Sequence, residues 1–289
     1  MRIAFFILWL LHFLPVTWTH ALARFLSKIA YPLAKSRRHV GEVNLRLCFP
    51  EKSEEERKHI LQEHFYHMLA MILDYSYCWY ASDQKISQLV DYQNKEILDN
   101  ALQSGQKVIL FYPHYCSLEM GVAKLNQDIP LISVYSHQKN KTLDERILKG
   151  RHRYNNVFLL GRTDGLLGII RAIKKRNEPF LYLPDQDFGE KDSIFVPFFG
   201  VSTATTDGLS RIAKLTNSVI IPMIPKRLEN GRYVLTFYPA WENFPTNDVY
   251  ADTTRMNAFL EERIREFPEQ YYWLHKRFKT RPQGESSVY

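Results

Sequence analysis

Apolar positions along this chain change period in a way that maps its elements. Residues 3–18 are almost wholly apolar, and at about 16 residues they make roughly 24 Å of helix. Residues 51–80 read as a helix, because Ser53 and three following Glu suit a positive helix end. Ile60, Leu61, Phe65, Met68, Leu69 and Ile72 then recur at helical spacing, which marks a packing element. Short apolar runs at 107–112, 131–135, 157–160, 180–183, 219–224 and 233–238 predict core strands. Helical patterns at 117–125, 143–154, 164–176 and 253–267 lie among them, with Asp164 as an N-cap and Pro268 as a stop. This alternation predicts an α/β fold: a single domain with a central, mostly parallel sheet flanked by helices.

Nothing in the 289 residues shows the composition shift or Ser/Gly-rich stretch of a second domain. The chain therefore divides into an N-terminal membrane anchor or interfacial helix, 1–23, and one domain, 24–289. Residues 3–18 are short against a hydrocarbon core of about 30 Å, and His12 and Pro15 weaken them as a span. They either cross a locally thinned bilayer or lie in its interface. If they cross, Arg24, Lys28, Lys35, Arg37 and Arg38 on their far side place the domain in the cytoplasm. Ala21-Leu22-Ala23 also fits a signal-peptidase site, but Leu22, Phe25, Leu26 and Ile29 continue an apolar stripe that suits a helix lying on a bilayer better.

A net charge of +7 favours an anionic partner, whether a membrane surface, a phosphorylated lipid or an acidic carrier protein. Nucleic acid is the weakest candidate, since the basic residues form no recognition motif. Three cysteines, Cys48, Cys78 and Cys116, are too far apart for a disulfide framework or a zinc site. No dinucleotide glycine spacing, Walker A sequence or Gly-x-Ser-x-Gly elbow occurs.

The candidate chemistry lies at His114-Tyr115-Cys116-Ser117-Leu118-Glu119, directly after the apolar run 108–112. Five helical steps leave two side chains roughly 140° apart, so His114 belongs in the turn and Glu119 on the first helical turn after it. There Glu119 can accept one imidazole N–H and fix its tautomer, leaving the other nitrogen to take a proton from a hydroxyl. The plainer alternative is a strand-ending His and a solvated Glu. Cys116 is a weaker nucleophile candidate, as small buried cysteines are common near strand ends.

The chain resembles the lipid A late acyltransferases of Gram-negative bacteria, within the lysophospholipid and glycerol-phosphate acyltransferase superfamily. The likeness runs almost end to end. It rests on the apolar N-terminus, Asn44-Leu45-Arg46-Leu47-Cys48-Phe49-Pro50, His114-x4-Glu119, Gly161-Arg162, Pro184-Asp185-Gln186-Asp187-Phe188-Gly189, Phe195-Val196-Pro197-Phe198-Phe199-Gly200, Ile221-Pro222-Met223-Ile224-Pro225 and the stretch from Trp273 to Pro282. The resemblance implies a glycerol-phosphate-acyltransferase-like fold. It further implies acyl transfer from acyl carrier protein to a hydroxyl of a Kdo-bearing lipid A precursor, at the cytoplasmic face of the bacterial inner membrane, with no metal and no covalent enzyme intermediate.

Residue by residue, the resemblance makes His114 the general base and Glu119 its partner. It puts Arg162 on a phosphate, with a surface ion pair as the alternative reading. Asp185 and Asp187 mark a third motif, as substrate contacts or as a polar turn closing a strand. Phe195, Phe198 and Phe199 would line an acyl tunnel or belong to the core, and Lys276, Arg277, Lys279 and Arg281 would meet lipid headgroups, the carrier protein or plain solvent. Acyl-CoA as donor, a glycerophospholipid acceptor, a hydrolase using the same dyad and a non-catalytic lipid binder are the competing readings.

Overall fold

The structure, a computed structural model, describes residues 2–154 and 157–289. Its strands are β1 (Val90–Gln93), β2 (Lys107–Phe111), β3 (Leu131–Tyr135), β4 (Val157–Gly161), β5 (Phe180–Tyr182), β6 (Ile194–Phe198), β7 (Val201–Thr205), β8 (Ser218–Arg227) and β9 (Tyr233–Phe237). Its α-helices are α1 (Arg2–Leu11), α2 (Val16–Leu33), α3 (Lys35–Cys48), α4 (Glu54–Tyr80), α5 (Asp83–Leu89), α6 (Glu96–Gln103), α7 (Leu118–Asp128), α8 (Lys141–Arg151), α9 (Gly165–Arg176), α10 (Gly208–Thr216) and α11 (Val249–Glu266).

One sheet runs β1-β9-β8-β2-β5-β3-β4, and β6 and β7 form a separate antiparallel hairpin. The expected α/β architecture is present, with β2 lying parallel to both β5 and β8. β8 departs from it. Its first half pairs in parallel with β2, while Met223–Arg227 pairs antiparallel with β9, so that edge of the sheet is mixed. Alternate residues of β2 supply both faces: Ile109 and Phe111 join one core cluster, Val108 and Leu110 another. The continuous apolar runs follow from this two-sided burial.

Every strand and helix predicted from residue 51 onward has a counterpart, most of them with shifted ends. Asp164 does precede α9, yet its Oδ2 accepts the Gly161 N–H (2.7 Å) rather than capping the helix. The β6–β7 hairpin and α10 fall in the stretch read only as a motif, where Phe198 (0% exposed) and Phe199 (8%) belong to the core. Phe199 and Gly200 both take positive φ (50° and 74°) at the two-residue turn, a geometry for which glycine is suited and phenylalanine unusual.

The expected apolar membrane helix is not formed as a single rod. Pro15, which lacks an N–H and restricts the residue before it, separates α1 from α2. Among the described residues no helix is long and apolar enough to cross a membrane. The 23/24 boundary falls inside α2, where Ala23 is fully buried. Ile3, Phe6, Phe13, Trp18, Phe25 and Leu33 nevertheless stay exposed, leaving a long apolar ridge along both helices.

α4 begins as its sequence dictates, with Ser53 and Glu56 completing a reciprocal capping box. It is more than a packing element, because it also buries His64, His67 and Asp74. His64 Nδ1 donates to the Glu269 carbonyl (3.1 Å), and burial pushes its pKa down to about 4. Burial, then the Arg227 charge, hold His67 well below the ordinary imidazole range. Both rings are thus neutral in the folded protein and charge on unfolding, so stability is full above pH 6.5 and falls as the pH drops below it. For His64 alone, the fall from 6.5 to about 4 amounts to on the order of 3 kcal/mol. Urea titrations across that range are expected to show the loss, and His64→Gln to remove the His64 part of it while the His67 part remains.

Candidate active site

The parallel strands β2, β3, β4 and β5 all deliver their C-terminal ends to one side of the sheet, where α/β folds place their ligand sites. His114 leaves the end of β2, and Asp185 leaves the end of the adjacent β5. His114 Nδ1 lies 2.7 Å from Asp185 Oδ1, and the His114 main-chain N–H donates to Asp185 Oδ2 at 2.9 Å. A carboxylate bound at Nδ1 fixes the proton there and leaves Nε2 as the basic nitrogen. Burial pushes the Asp185 carboxyl up, but the His114 charge and hydrogen bonds outweigh it and hold the group below the ordinary carboxylate range.

The orienting bond expected from Glu119 therefore comes from Asp185. Glu119 sits on the first turn of α7 as predicted, but its Oε1 accepts from Arg151 Nη2 at 2.8 Å. That pairing raises the Arg151 pKa, and Arg151 also lies over the Tyr135 ring (5.3 Å to its centroid). The start of α7 is fixed from below by Tyr112, whose hydroxyl donates to the Leu118 carbonyl (2.9 Å). Gly121 leaves room for that hydroxyl, since a Cβ there would come within 2.4 Å of it.

Of the third motif, only Asp185 reaches His114. Asp187 builds the loop. Its Oδ1 accepts from Gly189 N and Thr280 Oγ1 (both 2.9 Å), its Oδ2 from Thr280 N (2.7 Å), and its own N–H donates to His275 Nε2 (3.0 Å). Arg162 follows β4 with its guanidinium 5.6 Å from the Phe188 ring centroid. Among the described residues no carboxylate lies within ion-pair distance of Arg162, which removes the surface ion pair as its explanation.

His114, Glu119 and Arg162 share the wall of one cavity of about 780 Å³. Towards α4, α7 and α8 its lining includes Cys78, Leu118, Val122, Ala123 and Ile147; towards α9 and α10 it includes Leu166, Tyr182, Lys191 and Arg211. The Phe195-to-Phe199 cluster does not line it. Lys276 and Lys279 of the basic C-terminal stretch are exposed, but its two arginines differ from expectation. Arg277 is 3% exposed and donates to Ala204 O (2.6 Å) and Thr205 Oγ1 (2.8 Å), while Arg281 donates to Ser202 O (2.8 Å). Arg281 also pairs with Glu285, and both guanidiniums reach the β7 strand, where carbonyl and hydroxyl oxygens replace water that they lose.

Cys116 is buried, and burial pushes its thiol up to about 12, so it carries no thiolate to act as a nucleophile. Among the described residues no three His, Cys, Asp or Glu side chains are grouped to hold a metal ion. Arg151 has no signal in the local sequence. Its place follows only from α8 packing beside α7.

The family described as bacterial lipid A biosynthesis acyltransferase matches residues 2–280. The lipid A biosynthesis lauroyltransferase of Escherichia coli (strain K12) is 34% identical over 285 residues, 98% of this chain and 92% of its own. The palmitoleoyltransferase of the same strain is 33% identical over the same shares, and its myristoyltransferase is 31% identical over 91% of this chain and 82% of its own. Among solved structures, a 1-acyl-sn-glycerophosphate acyltransferase from Thermotoga maritima aligns at a TM-score of 0.40 and 11% identity, over 86% of this chain and 96% of that one.

Arg151→Ala would leave Glu119 as a largely buried, unpaired carboxylate. We expect a stability loss of about 1–3 kcal/mol in urea unfolding, largely restored in Glu119→Gln/Arg151→Ala, where no charge is stranded.

Proposed function

Because the chain belongs to the bacterial lipid A biosynthesis acyltransferases and is thus an acyl-transferring enzyme, we propose that its donor is acyl carrier protein and its acceptor a hydroxyl on the hydroxyacyl chains of a Kdo-bearing lipid A precursor. The observation that carries this reading is the His114–Asp185 pair, held at 2.7 Å and opening on a cavity of about 780 Å³ with apolar and cationic walls.

In this reading Nε2 of His114 removes the acceptor hydroxyl proton as the oxygen attacks the thioester carbonyl carbon. The tetrahedral adduct collapses, the C–S bond breaks, and the leaving thiolate takes the proton back from the imidazole. Asp185 keeps the tautomer and steadies the imidazolium. Glu119 serves the site by holding Arg151 on the cavity wall. The apolar side formed by α4, α7 and α8 takes the acyl chain, and Arg162, which has no ion pair among the described residues, takes an acceptor phosphate. Asp187 acts by shaping the loop that carries Asp185.

The exposed ridge of α1 and α2, flanked by Arg2, Arg24 and Lys28, suits helices lying in the interface of an anionic leaflet. It supports a place at the cytoplasmic face of the inner membrane.

Detergent-solubilised protein, given acyl carrier protein thioesters and Kdo-bearing lipid A precursor, is expected to add one acyl group by mass spectrometry of the lipid. His114→Ala should reduce the rate by about 10³-fold or more while the protein stays folded. Free fatty acid as the only product would replace transfer with hydrolysis, and transfer from acyl-CoA alone would change the donor. Arg162→Ala is expected to raise KM for phosphorylated acceptor about 10-fold, the value of one charge-assisted contact, with little change towards a dephosphorylated one.

A further inference from the structure

A chain of buried ionisable groups runs from the N-terminal helices to the catalytic turn, and the mechanism above gives it no task. His20 on α2, Asp74 on α4 and Arg227 at the end of β8 are 5%, 1% and 3% exposed. His20 Nε2 lies 3.1 Å from Asp74 Oδ1 and 3.0 Å from the Tyr233 hydroxyl. Asp74 Oδ2 accepts from Arg227 Nη2 at 2.7 Å, and Arg227 Nη1 meets His67 Nδ1 at 2.8 Å. Burying such a pair is costly, and apolar residues of the same volume would hold the fold as well. What the pair adds to the fold is a fixed geometry.

The guanidinium ends on the catalytic turn, where Arg227 Nη2 donates to the Cys116 carbonyl at 3.4 Å. Gln270 grips the same strand end from the other side. Its Oε1 accepts the Arg227 N–H (2.8 Å), its Nε2 donates to the Arg227 carbonyl (2.9 Å), and its own carbonyl accepts the Cys116 N–H (2.8 Å). The His114 carbonyl accepts from Tyr272 N at 3.0 Å, and the His114 N–H donates to Asp185. All four polar main-chain groups of His114 and Cys116 are thus bound from outside the turn, two of them by the Arg227–Gln270 unit.

We propose that Arg227, held by Asp74 and Gln270, is a positioning residue that keeps the His114 turn in register with Asp185. None of the three lines the cavity, so each acts through the turn and not on substrate. A base shifted by even part of an ångström loses both its fixed tautomer and its aim at the acceptor. The kinetic half of the test rests on the acyltransferase reading; the spectroscopic half does not.

The test compares wild type, Arg227→Lys and Asp74→Asn/Arg227→Met, the last of which leaves no buried charge unpaired should the single variant fail to fold. Thermal unfolding, kcat and KM for thioester and lipid precursor would be measured. The Nδ1 proton of His114 would be followed in histidine-labelled protein and assigned by its absence in His114→Ala. Folded variants are expected to keep KM within about twofold while kcat falls about 10–100-fold, with the His114 proton signal displaced. Wild-type kcat with an unmoved signal would overturn the proposal. So would a rate that falls only with the folded fraction while the signal stays in place. If wild type transfers nothing to any lipid, the functional reading fails, and the displaced or unmoved signal still decides the positioning role.

Discussion

The two hydrogen bonds from His114 to Asp185 join β2 to β5 at the point where the chemistry must happen. A carboxylate that holds only the ring could tolerate a sliding backbone. Here one oxygen takes the ring and the other takes the main chain, so the imidazole cannot turn without the whole loop moving. Much of the surrounding architecture serves that contact. Asp187 ties the Asp185 loop to Thr280 and His275, Asn44 Nδ2 donates to the carbonyls of Trp273 (2.7 Å) and His275 (2.8 Å), and the segment before them bridges the His114 turn. Motifs scattered from residue 44 to 280 therefore converge on one carboxylate and one ring.

That convergence explains what could be read in advance. Strands buried on both faces announce themselves as apolar runs, so β2, β3 and β5 were legible within a residue or two, and His114 stood out because it ends such a run. Partnership was not legible in the same way. Glu119, five residues on, was the obvious acceptor, whereas Asp185 lies 71 residues away and comes adjacent only because β5 inserts beside β2. The resemblance singled out Asp185 without saying what it touches. Charge misled in the C-terminal stretch, where Arg277, read as meeting headgroups, the carrier protein or solvent, is instead buried on the Ala204 carbonyl and the Thr205 hydroxyl of β7.

The N-terminal region shows the same limit from another side. Mean hydropathy sees a sixteen-residue stretch that is almost wholly apolar but not the bend at Pro15, which turns one candidate span into two helices sharing an exposed ridge. Nor does periodicity reveal that the inner face of α2 carries His20 into an ion-pair cluster with Asp74 on α4. A helix can be apolar towards its surroundings and polar towards its own protein.

The strand order has a consequence for synthesis on the ribosome. β5 fits between β2 and β3, both of which precede it in the chain, and the segment clamping the catalytic turn lies near residue 270. A nascent chain that has emerged as far as His114 thus holds a base without its carboxylate, its clamp or the far wall of its cavity. Competence arrives late, once the segment near residue 270 is made, so shorter translation products carry the histidine but not the whole site.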